Sequence, residues 1–156
     1  MSPENRLLEL GLKLPPPVEP KGVYRSVVLT GTLATTAGHL PVRADGTMVT
    51  GRVGQQLDVA AGYEAARLAG LAILSSVREA IGSLDHVRQV VKVLGLVNCD
   101  ANFTQHPAVI NGCSELFRDV FGEDAGVGAR SALGAGSLPL NVAVEIEAIF
   151  EISSAD

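Results

Sequence analysis

Tryptophan is absent and only 4% of the 156 residues are aromatic, so the 47% hydrophobic content rests mainly on Ala, Val, Leu and Ile. A small chain this apolar predicts that part of its surface is hidden by self-association. Basic residues are scarce: 12 Lys and Arg stand against 17 Asp and Glu, the net charge is -5, and no basic run occurs. That balance argues against a nucleic-acid partner, because phosphate-driven binding needs clustered Lys and Arg that displace counterions. Long apolar runs are missing too. Charge interrupts each one before the ~20 residues of a membrane-spanning helix, and the first 17 residues hold no signal-type apolar stretch. The expectation is a cytoplasmic protein with no membrane partner. Cysteine is limited to Cys99 and Cys113, without CxxC spacing, which predicts reduced core thiols. No GxGxxG after a strand, P-loop, GxSxG or HExxH occurs, so nucleotide cofactors, triad hydrolysis and zinc lack support.

The length fits one domain. Ser2-Pro3-Glu4 supplies a helix cap, a proline for the first turn and an early acid, predicting a short N-terminal helix. Pro15-Pro16-Pro17 then imposes an extended strap, so that residues 1–22 form a lead-in to a domain over 23–152. Val23 to Thr36 reads as two short strands broken near Thr30-Gly31, and Ala44-Asp45-Gly46 as a turn. Leu57 to Ile81 is helical, with a polar stripe through Glu64, Arg67, Ser75 and Arg78, and is stopped by Gly82. Leu84-Asp85-His86 makes a corner. Val87 to Val97 reads as a strand covered on both faces, and Pro107 to Phe121 as a second helix ended by Gly122. Gly126 to Leu133 and Asn141 to Ile152 are the last strands; in the latter Val142, Val144, Ile146, Ala148, Phe150 and Ile152 form one apolar face. This order predicts an α+β domain, a mixed sheet with two helices on one face. The other face would then be bare in a monomer, and a partner subunit is its natural cover.

Chemistry rests on single residues. Arg130 lies between small neighbours in a strand and can grip a planar carboxylate bidentately. A salt bridge to Glu145 or Glu147 on the next strand is the competing reading. Glu145 and Glu147 project to one face, where either can orient a water; a solvated outer face is the alternative. His39 and Tyr24 sit near the first hairpin, and a lone histidine is more often a packing residue than a catalyst.

Four pieces in order resemble the Rid (reactive intermediate deaminase, YjgF) family: Tyr24 ahead of AGHLP (37–41), a helix followed by VVKVLGLVN (90–98), Asn111, and ARS (129–131) with LPLNVAVEIEAIF (138–150). The resemblance covers roughly residues 20 to 152, and the long lead and INGCSELF helix resemble a divergent subgroup often labelled endoribonuclease L-PSP-like. It implies a chorismate-mutase-like homotrimer, an inner barrel of sheets with clefts between subunits. It implies that Arg130 binds a substrate carboxylate, that Glu145 positions the attacking water, and that Tyr24, Ala37, Gly38, His39, Asn111 and Ala132 line the cleft. Ala37 and His39 stand where the family commonly has Ser and Gln, and Ala132 replaces a small thiol-type residue, its backbone N–H remaining available to a carboxylate. The implied activity is hydrolysis of small 2-imino or enamino acids to 2-keto acids and ammonia, with no metal or organic cofactor, and with His39 assisting proton transfer. A non-catalytic trimer that binds small carboxylates for regulation is the alternative; the ribonuclease label runs against the acidic charge.

Overall fold

The computed structural model describes residues 1–154. Ser2 caps the first helix, α1 (Pro3–Glu9), its hydroxyl accepting the Asn5 N–H, and Pro3 sits in the first turn where its missing N–H is not needed. α1 is docked to the body of the fold: Leu7 is buried, Arg6 donates to the Asp119 carbonyl at 3.0 Å, and Glu4 accepts from Leu84 N at 3.0 Å and meets Arg78 at 3.4 Å. The proline strap lies alongside, held where Ser75 donates its hydroxyl to the Pro15 carbonyl. Ser75 is therefore buried, and the polar stripe expected through it is not a solvent face.

The sheet is mixed, in the order β1-β2-β5-β3-β4. β1 (Val27–Thr30) and β2 (Leu33–Thr36) form a hairpin broken at the expected place, although residues 23–26 do not join the ladder. β5 (Val144–Ile152) lies between β2 and β3 (Val87–Asn98), antiparallel to both, and β4 (Ala129–Ala135) runs parallel to β3 on the outer edge. Two expected boundaries move. Gly126 belongs to a short helix, α4 (Glu123–Gly126), so the strand after it begins at Ala129. Pro139–Asn141 is a 3-10 turn in which Leu140 and Asn141 take positive φ angles of 55° and 57°, so the last strand begins at Val144, not at Asn141.

Two long helices cover one face, α2 (Val59–Ile81) over β5 and α3 (His106–Phe121) over β3, each ended by a glycine with positive φ. The core lies between helices and sheet, where Phe117 stacks edge-on against Phe150 with centroids 5.5 Å apart. Cys99 and Cys113 are both free and buried. The other sheet face carries no helix among the described residues. β3 alternates accordingly, with Val93 and Val97 buried while Lys92, Leu94 and Leu96 are only partly covered, so the expectation that both faces are covered fails within one chain. Leu33 and Leu133 on the uncovered face are 40% and 53% exposed.

The two helices touch backbone to backbone at Gly112. A Cβ there would lie 2.0 Å from the Tyr63 carbonyl oxygen, so Gly112→Ala must push α2 and α3 apart. The expected cost is about 1–3 kcal/mol in urea denaturation. Gly136→Ala, where nothing lies within 4 Å of the added carbon, is the control and should change stability by less than ~0.5 kcal/mol. Equal midpoints for the two variants would contradict the close helix contact.

Candidate functional site

Arg130 is the second residue of β4. Its register partner on β3 is Val93, a buried residue of the helix-covered face, so the arginine projects toward α3. There Nη1 donates to Asn111 Oδ1 at 2.7 Å and to Ser114 Oγ at 3.2 Å. Both partners are neutral. Among the described residues no carboxylate lies within ion-pair distance of Arg130, so the salt bridge to Glu145 or Glu147 considered above does not form. The reason is topological: the strand beside β4 is β3, and β5 with its glutamates lies one strand further away. With Nη1 occupied, the Nε–Nη2 edge of the guanidinium has no hydrogen-bond partner among the described residues and suits a planar, bidentate anion. Arg130 opens into a cleft of about 370 Å³ walled by Asn111, Ser114, Glu115 and Arg118, one stripe of α3. Ala132, two residues along β4, shares the face of Arg130 and presents a methyl group.

Glu145 sits on the opposite face. Its register partner is Leu96, three residues beyond Val93 on a regular stretch of β3, and an odd interval on a strand reverses the side. It is half-buried. Its carboxyl group packs on Gly38, where an added Cβ would fall 2.8 Å from Cδ, so only glycine leaves the room this carboxyl occupies. Burial pushes the Glu145 carboxyl above the usual range, and the Glu147 charge on the same face pushes it further in that direction. His39, one residue after Gly38, faces the other way. The residue is 3% exposed and its ring lies toward α2, with Nε2 2.8 Å from Ser76 Oγ and Nδ1 2.7 Å from the Ala37 carbonyl. Burial lowers its pKa, and the ring does not reach the face that holds Glu145. Tyr24 is 51% exposed in the segment before β1, its hydroxyl accepting Lys21 N at 3.4 Å.

The expected site residues thus fall into two groups. Arg130, Asn111 and Ala132 belong to the β4 edge, and Tyr24, Ala37, Gly38 and Glu145 to the β1–β2 hairpin and β5. Glu145 on β5 lies two strands from β4, about 10 Å at ~4.8 Å per strand, and on the other face, while Tyr24 precedes β1 at the far edge of the sheet. One chain does not bring the groups together. Ser114 was not among the expected residues, although its place three residues after Asn111 puts it on the same helix face. Ser76 had no sequence signal, lying 37 residues from the histidine it meets. Among the described residues no cluster of three or more His, Cys, Asp or Glu stands ready for a metal ion, and no helix is long and apolar enough to cross a membrane.

Residues 4–152 match the family model described as "YjgF/chorismate_mutase-like, putative endoribonuclease". The chain is 40% identical over 148 residues to Protein TCP17 of Trypanosoma cruzi, covering 95% of this chain and 92% of that protein. It is similar to the Agrobacterium tumefaciens protein Atu1372, of unknown function, at 40% identity and a TM-score of 0.87 over 97% of this chain and 94% of that one. A Shewanella oneidensis protein with the same endoribonuclease description superposes at a TM-score of 0.92 and 29% identity, over 97% of this chain and all of that one. The mixed sheet, the two covering helices and the match over nearly the whole chain place this protein in the YjgF/chorismate-mutase-like family.

Proposed function

We propose that this protein hydrolyses small 2-imino or enamino acids to 2-keto acids and ammonia, in a cleft that two subunits of a homotrimer complete together. The observation that carries the reading is the state of Arg130. It is a half-buried guanidinium, oriented by two neutral groups, with no carboxylate within ion-pair distance among the described residues. An unbalanced, pre-oriented arginine of this kind is a carboxylate receptor. The reaction then needs a base, and Glu145, made more basic by burial and by Glu147, is suited to that work. Because the two lie on opposite faces and two strands apart, a neighbour must supply Glu145 to the cleft that holds Arg130. A head-to-tail ring that sets the β4 edge of one subunit against the hairpin side of the next does this, and it also covers the bare face with Leu33 and Leu133.

In the cleft the substrate carboxylate lies on the free edge of Arg130. Glu145 takes a proton from water as the water oxygen bonds to the imine carbon, and passes that proton to the imine nitrogen to give the carbinolamine. Glu145 then takes the carbinolamine hydroxyl proton and delivers it to the amino nitrogen; the carbonyl forms as the carbon–nitrogen bond breaks, ammonia leaves, and the 2-keto acid remains. His39 has no part in proton transfer in this scheme, since its ring is directed at α2. Ala37 and Ala132 support a second reading, a trimer that binds small carboxylates for regulation without turnover, because methyl groups there offer no further hydrogen bond to a transition state. The ribonuclease activity in the descriptions of relatives finds little support in a chain of net charge -5, whose last strand sets Glu145, Glu147 and Glu151 on one face.

Ammonia release from enzymatically generated 2-iminobutyrate should be accelerated by the wild type and lost in Arg130→Ala. Binding of 2-ketobutyrate to the wild type without any acceleration would favour the regulatory reading. Light scattering should give about three times the 16.2 kDa chain mass; a monomer that still turns over substrate would contradict the shared cleft.

A further inference from the structure

We propose that His39 and Ser76 form a buried positioning pair that holds the extended segment from Ala37 to His39 against the Glu145 carboxyl group, acting through the backbone and carrying no proton to substrate. The contacts run in series. The Ser76 hydroxyl, on α2, donates to His39 Nε2 at 2.8 Å, and His39 Nδ1–H donates to the Ala37 carbonyl at 2.7 Å. The same carbonyl accepts the Thr36 hydroxyl at 3.0 Å, and Thr36 Oγ1 in turn accepts the Ala148 N–H of β5 at 3.0 Å. The His39 backbone closes a two-bond bridge with Ile146, donating to its carbonyl at 2.7 Å and accepting its N–H at 3.0 Å. Gly38 is gripped between these anchors, and its bare Cα is the surface on which Glu145 rests.

This donor pattern needs a neutral imidazole with its proton on Nδ1, and burial, which lowers the His39 pKa, favours that form. The ring belongs to the helix-covered face and Glu145 to the other, so the peptide plane stands between them and excludes direct proton exchange. Around Glu145 the charged neighbours are Glu147 on β5 and, beyond it, Lys92 on β3, which is bonded to Ser131 at 3.0 Å. The nearest atoms to a Cβ placed on Gly38 all belong to Glu145. The Ala37–His39 segment therefore governs how far the Glu145 carboxyl is kept from water. A histidine in this segment links the candidate base to α2 in the middle of the core, and Ser76 is the residue that makes the link. The functional weight of the pair rests on the hydrolase reading of Glu145, whereas the geometry stands apart from it.

The test is a carboxyl titration of Glu145 by ¹³C-glutamate NMR in the full-length protein, its signal assigned by loss in Glu145→Gln, alongside kinetics on 2-iminobutyrate. Wild type is compared with Ser76→Ala, His39→Ala and His39→Gln. In folded Ser76→Ala and His39→Ala the Glu145 midpoint should fall toward the ordinary carboxylate range. The kcat should drop between about ten- and a hundred-fold with KM within about two-fold, because Arg130 is untouched. His39→Gln should restore both in part, since its amide can still donate to the Ala37 carbonyl. A Glu145 midpoint unchanged in folded Ser76→Ala and His39→Ala would overturn the proposal. So would a kcat loss in His39→Gln that removes a limb of the pH profile while leaving Glu145 as in wild type, for that marks a proton carrier. If the wild type does not turn over 2-iminobutyrate, the hydrolase reading fails and the NMR comparison alone decides the positioning role.

Discussion

Leu96 lies three positions beyond Val93 on β3, and on a strand an odd interval turns the side chain to the other face. Arg130 is in register with the first and Glu145 with the second, through flanking strands on opposite sides of β3. Most of the functional reading follows from that arrangement. Neither group can rotate to the other's side without breaking the ladder, so a site containing both has to be made by two copies of the chain. The same sheet leaves one face without a helix, and apolar side chains such as Leu33 and Leu133 stand there in the open. The proposed ring of subunits would answer both conditions at once, covering the face and joining the two groups.

The two halves are prepared in different physical ways. Arg130 keeps its full charge and is oriented by an amide and a hydroxyl, so the alignment is obtained without the neutralisation that a carboxylate partner would bring. Glu145 is tuned by its surroundings. Desolvation against Gly38 and the nearby Glu147 charge both disfavour its ionised form and leave it more basic than a surface glutamate. The cation is thus poised by what is missing around it and the anion by what crowds it. The buried His39 and Ser76 serve the second group from beneath, tying the crowded Ala37–His39 segment to α2.

Much of this was legible in the residues. The alternation of Val144, Ile146, Ala148, Phe150 and Ile152 marked the buried face of β5, Gly82 and Gly122 marked both helix ends, and Arg130 and Asn111 do meet. What escaped were relations between distant segments. Nothing in the local pattern says that β5 enters between β2 and β3, and with β5 beside β4 an ion pair to Glu145 looked as natural as a free arginine. β5 starts later than the pattern suggests because Leu140 and Val142 continue the apolar alternation in sequence, while the backbone at Leu140 and Asn141 adopts left-handed angles that no strand can hold. His39 was grouped with the cleft because it adjoins Gly38 in the chain, yet neighbours on an extended segment face opposite ways, and its partner Ser76 lies a whole element away.

The claim on which the rest depends is that Arg130 and Glu145 act together only across a subunit boundary. Complementation measures it directly. Arg130→Ala and Glu145→Gln, each inactive by itself, are unfolded together and refolded as mixed oligomers, and imine hydrolysis is assayed. Random mixing in a ring should restore roughly one quarter of the wild-type sites, those that draw the arginine from one variant and the glutamate from the other. Mixed oligomers that stay inactive would contradict the shared site, because a cleft built within a single chain cannot be repaired by its neighbour.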